Sequence, residues 1–121
     1  MASTVVTKLH TDAQTGQLLE EAFELVCVSG PDAGKRWVLE LGTSIVGTQP
    51  TNDVVLTDAS VSRAHLELRV LSHGLEVRDL DSTNGTRLAG AKITQVVLTE
   101  NARLRLGKQT EVDVVLRKHA V

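Results

Sequence analysis

Aromatic residues are almost missing from this 121-residue chain: Phe23 and Trp37 are the only two. That removes the stacking platform on which proteins hold single-stranded bases. Positive charge is not in excess either. Thirteen Lys and Arg against fifteen Asp and Glu leave a formal charge of −2 and a pI near 6.1, which is no electrostatic footprint for a phosphate backbone. Direct nucleic-acid binding by this domain is therefore disfavoured. There is one cysteine, Cys27, so no internal disulfide can form. It lies in the apolar run Leu25-Val26-Cys27-Val28, with none of His10, His65, His73 or His119 near it in sequence. It reads as a buried thiol rather than a nucleophile. No apolar run approaches a membrane span, and the N-terminus lacks the basic start and apolar core of a signal peptide, so a cytoplasmic location is expected. No internal repeat, low-complexity segment or amphipathic helical period is found.

What is present is enough apolar residue, 41% of the chain, for a single core in a single domain. Residues 1–20, rich in Thr, Ser and Gln, read as a flexible tail with Thr4, Thr7, Thr11 and Thr15 as potential kinase targets; residues 21–121 read as the folded domain. From Phe23 onward, short β-type runs alternate with turn chemistry. Phe23 to Val28 and Arg36 to Leu41 flank a Gly-Pro-Asp loop, and Ser44-Ile45-Val46 and Val54-Val55-Leu56 flank a second loop containing Pro50, Asn52 and Asp53. Leu66, Leu68 and Val70 alternate with Glu67 and Arg69, the period of a strand with one wet face, and Leu75 to Arg78 repeats the pattern. Further short strands are expected around Leu88, Ile93, Val96 to Leu98, Leu104 to Leu106 and Val112 to Leu116. Short strands roughly 8–12 residues apart, with no helix between them, indicate an all-β sandwich or barrel.

Two polar loops stand out between apolar runs. Asp58-Ala59-Ser60-Val61-Ser62-Arg63-Ala64-His65 sets hydroxyls and a guanidinium between strands, and Ser82-Thr83-Asn84-Gly85-Thr86 follows the next strand. Hydroxyls and backbone N–H groups of two such turns at neighbouring sheet ends suit a phosphate, and an asparagine amide suits a peptide backbone. The competing reading of Asn84-Gly85 is a purely structural hairpin turn. Ser62 and His65 invite a nucleophile-and-base reading, but with a strand starting near Arg63 they would point to opposite faces, and no acid is placed to orient the imidazole. Neither a Gly-x-Ser-x-Gly elbow nor a Walker-type phosphate loop is present, so an enzyme is not expected. Asp53, Asp58, Asp79 and Asp81 do not fit an EF-hand, and the histidines lack zinc-ligand spacing. No metal or other cofactor is expected; turn capping and solvated charge are the expected roles of those carboxylates.

Gly47, Asn52-Asp53-Val54-Val55-Leu56, Ser62-Arg63-Ala64-His65 and Asp79-Leu80-Asp81-Ser82-Thr83-Asn84-Gly85-Thr86, in that order and spacing, resemble the successive motifs of forkhead-associated (FHA) domains. The similarity runs from about Phe23 to Leu116, through the stretch from Leu98 to Gly107. It implies a sandwich of two antiparallel sheets whose loops at one end bind a phosphothreonine peptide, with no catalysis. Carried over by position, it implies that Ser62 bonds the phosphate, Arg63 lies beside it, Thr83 holds the phosphate or the threonine methyl, and Asn84 grips the peptide backbone. Gly47, His65 and Gly85 would support the loops.

This sequence departs from that pattern at one position. Where the family typically has Gly-Arg, this chain has Gly47-Thr48, which replaces a charged fork of donors by one hydroxyl. Arg63 or Arg87 would have to compensate; the alternative is a phosphate-independent scaffold. The form Val46-Gly47-Thr48-Gln49-Pro50 with Thr57 to Arg63 also resembles FHA domains at the N-terminus of bacterial enhancer-binding transcription activators. By that analogy the expected role is the sensory domain of a transcriptional regulator, with a phosphothreonine protein, or its own N-terminal tail, as partner.

Overall fold

In the computed structural model, which describes residues 8–11, 14–16 and 18–120, the described residues form two packed β-sheets and no helix. One sheet has seven strands. It comprises β1 (Lys8–Thr11), β2 (Leu18–Ser29), β3 (Arg36–Leu39), β8 (Thr86–Leu88), β9 (Ala91–Lys92), β11 (Ala102–Leu106) and β12 (Thr110–Ala120), in the order β1-β2-β12-β11-β8-β9 with β3 also on β2. The other has five: β4 (Thr43–Gly47), β5 (Val54–Val55), β6 (Leu66–Leu71), β7 (Gly74–Asp79) and β10 (Gln95–Leu98), in the order β10-β7-β6-β4-β5. Every pairing is antiparallel except the two-residue contact of β4 with β5. The all-β sandwich expected from strand spacing is the fold.

Alternation explains the layers. Phe23, Leu25 and Cys27 of β2, Leu104 and Leu106 of β11, and Val112 and Val114 of β12 turn inward from one sheet; Val46, Leu66, Leu68, Leu75, Val77 and Leu98 meet them from the other. Each large apolar side chain removed from water this way contributes roughly 1.5–3 kcal/mol. The outward residues of β6 and β7 pair across the strands, Arg69 with Glu76 and Arg78 with Glu67. Cys27 is buried, as expected, and burial pushes its thiol pKa up.

Three expectations change. β1 lies within the stretch read as tail and pairs with β2, Thr11 opposite Leu18, and β2 itself begins before residue 21. A four-residue strand at the sheet edge is too short to show a period in the sequence. Thr4 and Thr7 lie outside the described residues. Asn84-Gly85 does not close a hairpin: β7 and β8 belong to different sheets, and the loop between them crosses the sandwich. The tight hairpin is the next one, β8 to β9, where Ala89 and Gly90 both have positive φ, 51° and 82°. Finally, β6 starts at Leu66, so Ser62 to His65 is loop rather than strand.

Register sets the functional end. Val46 at the end of β4 is opposite Leu66 at the start of β6, and Leu66 is opposite Asp79 at the end of β7. In the other sheet Thr86 meets Leu106, Leu106 meets Thr110, and Glu111 meets Ser29. The loops 48–53, 56–65, 80–85 and 107–109 therefore emerge together.

Candidate functional site

Asp58 begins the construction of the site. Its side chain is 3% exposed, and its Oδ1 accepts the backbone N–H and the hydroxyl of Ser60, both at 2.8 Å. Its Oδ2 accepts the Thr110 hydroxyl at 2.7 Å. Burial alone raises a carboxyl pKa; here the bonds from Thr110 and Ser60 outweigh it and hold the carboxyl below its ordinary value. The Ser60 hydroxyl oxygen in turn accepts the Lys108 N–H at 2.9 Å. The Ser60 carbonyl accepts the Asn84 amide at 2.9 Å, which leaves Asn84 Oδ1 turned away as an acceptor.

Asp79 organises the second loop the same way. Its carboxylate accepts the Ser82 N–H at 2.9 Å, the Ser82 hydroxyl at 2.6 Å and the Thr86 hydroxyl at 2.7 Å, and those bonds, against burial, keep its pKa low. The Ser82 oxygen then accepts the Gly85 N–H at 3.0 Å. Capping was the expected role of Asp58 and Asp79, but Asp58 is not solvated: its charge is sequestered under the loops. Asp53 also caps, accepting the Ile45 N–H at 2.8 Å.

The third support is Gly47. A Cβ there would overlap the Arg63 carbonyl and approach the Ser62 carbonyl oxygen within 2.7 Å, so only glycine lets β4 lie against the loop. Around that contact the Thr48 and Gln49 N–H groups donate to the Ser62 and Arg63 carbonyls at 3.1 and 3.2 Å, and the Asn52 amide donates to the Arg63 carbonyl at 2.6 Å.

His65 locks the two loops from beneath. It is fully buried; its Nδ1 accepts the Ser62 N–H at 3.0 Å, so the proton sits on Nε2, which donates to the Gly85 carbonyl at 3.0 Å. Asp79 Oδ1 is 3.8 Å from Nε2. The imidazole meets the backbone of Ser62 and not its hydroxyl, so there is no nucleophile-base dyad. The loop, rather than a strand, carries His65 back under Ser62.

On this base, Thr48, Ser62, Arg63, Thr83 and Asn84 line one open cleft of about 370 Å³ together with Ala59, Ser60 and Val61. The structure thus brings together all five residues singled out as ligand contacts. Ser62 Oγ accepts the Thr83 N–H at 3.0 Å, leaving its own proton free to face the cleft. Arg63, Thr83 and Asn84 are exposed. The backbone N–H groups of Ser62, Thr83 and Gly85 are spent inside the loops. Arg87 lies apart from the cleft, with Nη1 donating to the Gly90 carbonyl at 3.2 Å. Sequence reading passed over Ser60, Lys108 and Thr110 as partners in this network; the Asp58-x-Ser60 spacing, a side-chain capped turn, is the one local signal for it.

Among the described residues no group of His, Cys, Asp or Glu is arranged to hold a metal, and no helix is long and apolar enough to cross a membrane.

Residues 27–120 match the family model described as the cytoplasmic domain of an inner-membrane component of the type III secretion system. The glycogen accumulation regulator GarA of Mycolicibacterium smegmatis is 36% identical over 84 residues, 69% of this chain and 53% of the relative. The oxoglutarate dehydrogenase inhibitor of Corynebacterium jeikeium is 37% identical over 91 residues, 75% of this chain and 63% of the relative. The chain thus spans between about half and two thirds of these curated relatives. Among solved structures, the FHA domain of the CT664 protein of Chlamydia trachomatis superposes with a TM-score of 0.71 at 34% identity, covering 78% of this chain and 96% of that one. A structure described in work on phosphothreonine-dependent FHA domain interactions superposes with a TM-score of 0.68 at 29% identity, covering 83% and 99%.

Proposed function

The chain belongs to the forkhead-associated family, and from that membership and the loop geometry we propose that it is a non-catalytic, cytoplasmic module that binds phosphothreonine in a protein partner. The observation that carries this reading is the Ser62 hydroxyl. Its oxygen is occupied by the Thr83 N–H, so its proton is the free donor in a cleft shared with Arg63 and Thr83. Ser62 donates to the phosphate, Arg63 supplies charge beside it, Thr83 contacts phosphate or threonine methyl, and Asn84 Oδ1 accepts a peptide N–H. A phosphate of about −1.5 to −2 charge makes bonds worth roughly 1.5–3 kcal/mol each, so a few donors suffice.

Two relatives are named as metabolic regulators, one of glycogen accumulation and one an inhibitor of oxoglutarate dehydrogenase. This favours a metabolic enzyme or its regulator as partner. The sensory role in a transcription activator, expected from resemblance, finds no support in those names. Binding of a phosphorylated threonine of its own tail belongs to the same reading, with one geometric condition. Thr11 pairs with Leu18, whereas the cleft lies at the Ser29 end of β2, roughly 35 Å along the strand. A phosphate on Thr11 or Thr15 therefore reaches the cleft of a second molecule, or of its own after β1 detaches.

Thr48 favours a second reading. With no guanidinium at that position the loops serve as a scaffold for an unphosphorylated partner. Calorimetry with phosphothreonine, phosphoserine and unmodified forms of one peptide separates the two. Binding confined to phosphothreonine and lost in Ser62→Ala and Asn84→Ala is expected; indifference to phosphate would establish the scaffold.

A further inference from the structure

Seven arginines lie on strands, and five of them meet a carboxylate: Arg36 and Arg117 on Glu24, Arg69 on Glu76, Arg78 on Glu67 and Arg103 on Asp113. Arg87 and Arg105 do not. They sit directly opposite each other on β8 and β11, and Lys92 of β9 is directly opposite Arg87. Residues paired in antiparallel register share a face, so Lys92, Arg87 and Arg105, all exposed, form an outward row roughly 10 Å wide. Like charges so placed destabilise a sheet. Among the described residues no carboxylate lies within ion-pair distance of any of the three; Glu111 stands directly opposite Arg105 at the end of the row, 3.3 Å from a Ser29 hydroxyl whose shorter bond, 2.9 Å, goes to the Gln109 carbonyl. Two positions along the same strand, the chain neutralises Arg103 with a two-pronged bond to Asp113. Arg87 and Arg105 are thus a local exception among the strand arginines.

Its place gives it a use. Arg87 and Arg105 line an open groove of about 540 Å³. One register step separates the row from Thr86 and Leu106, next to the loop that carries Asn84. The Lys92 side chain lies against Gly85, its Cε 3.2 Å from where a Cβ would stand.

We propose that Lys92, Arg87 and Arg105 form a second docking strip, which holds a carboxylate-rich segment of the same partner that presents its phosphothreonine to the cleft. This rests on the phosphothreonine reading above. The chemistry is charge complementarity: three cations in a row, without aromatic residues to stack bases, fit Asp and Glu side chains of an extended peptide. The three residues from Asn84 to Arg87 span roughly 10 Å, so the acidic run begins about three or more residues from the phosphothreonine.

The test is calorimetry with four peptides: phosphothreonine with Asp/Glu flanks, phosphothreonine with Asn/Gln flanks, and the unphosphorylated form of each. Wild type is compared with Arg87→Gln/Arg105→Gln and with a charge-matched control on the other sheet, Arg69→Gln/Arg78→Gln. Acidic flanks are expected to tighten binding roughly tenfold in wild type. The gain disappears in Arg87→Gln/Arg105→Gln and survives in the control, while the neutral-flanked phosphopeptide binds all three proteins alike. Equal affinity of wild type for both flanks, or equal loss in the control, overturns the strip. If phosphate adds nothing but the gain from acidic flanks still depends on Arg87 and Arg105, the strip stands and the phosphothreonine reading falls.

Discussion

The His65 imidazole accepts the Ser62 backbone N–H at 3.0 Å, and its other nitrogen reaches the Gly85 carbonyl. One fully buried ring thus sets the positions of both loops that line the cleft. Burial pulls its pKa below the ordinary 6.5, outweighing the Gly85 carbonyl and the Asp79 carboxylate, which act the other way. The neutral ring is required, because a proton on Nδ1 would face the Ser62 N–H.

A pH dependence of stability follows. A histidine depressed in the folded state is stabilising at pH above its unfolded value; between the two pKa values the unfolded chain binds more protons, so stability falls as pH drops below about 6.5. Asp58 and Asp79, whose folded pKa values are also lowered, withdraw their contribution only below about 3.8, in a separate acid window. Denaturant melts from pH 8 to 3 are expected to show both losses, and His65→Ala to remove the first while costing about 2–4 kcal/mol at pH 8. Melts flat from pH 7 to 5 would contradict a His65 held neutral by burial.

Gly47 and Gly85 are expected to differ when changed to alanine. At Gly47 the new Cβ meets backbone, the Arg63 carbonyl, which cannot move without displacing the loop. A loss of about 3 kcal/mol or more, together with loss of peptide binding, is expected. At Gly85 the nearest atom is the mobile end of Lys92, and the cost is the positive φ of 83°, about 1–2 kcal/mol. Equal melting shifts for the two variants would contradict the steric argument.

Much of this was legible in the chain, and the exceptions share a cause. Alternation in Leu66 to Val70 and Leu75 to Arg78 identified β6 and β7, because one face is buried and the other wet. β1 is four residues long and pairs only with β2, too short a run to leave a period. The five cleft residues were found by motif order, yet Asn84-Gly85 also read as a hairpin, since turn chemistry does not report which sheet the chain enters next. The burial of Asp58 was invisible because its partner Thr110 is 52 residues away.

Asp58 tests that hidden network. Asp58→Ala leaves Ser60 N–H, Ser60 hydroxyl and Thr110 hydroxyl without their acceptor, and a loss of about 2–4 kcal/mol is expected. Phosphopeptide affinity falls with it, because Ser60 orients the Asn84 amide. Asp58→Asn keeps one acceptor oxygen and is expected to lose less on both counts. Affinity unchanged in a folded Asp58→Ala protein would show that Asn84 is not positioned through Ser60.

Thr48 measures what the cleft lacks. It lines the same cleft as Ser62 and Arg63, so Thr48→Arg is expected to add a charge-assisted bond and tighten phosphothreonine binding by about one to two decades, less the cost of ordering the side chain. The gain shrinks as salt rises. If Thr48→Arg binds no better than wild type and Thr48→Ala no worse, the Thr48 side chain does not reach the ligand.

The central claim is that the phosphate is held where Ser62, Arg63 and Thr83 converge. Nitrogen-15 NMR of the labelled protein, titrated with a phosphothreonine peptide and then with its unmodified twin, addresses it residue by residue. Phosphate-dependent shifts are expected at Thr48, Ser60 to Arg63 and Thr83 to Gly85, with β1, which pairs with the far end of β2, unmoved. Identical shifts from both peptides, or shifts centred away from those loops, would contradict it.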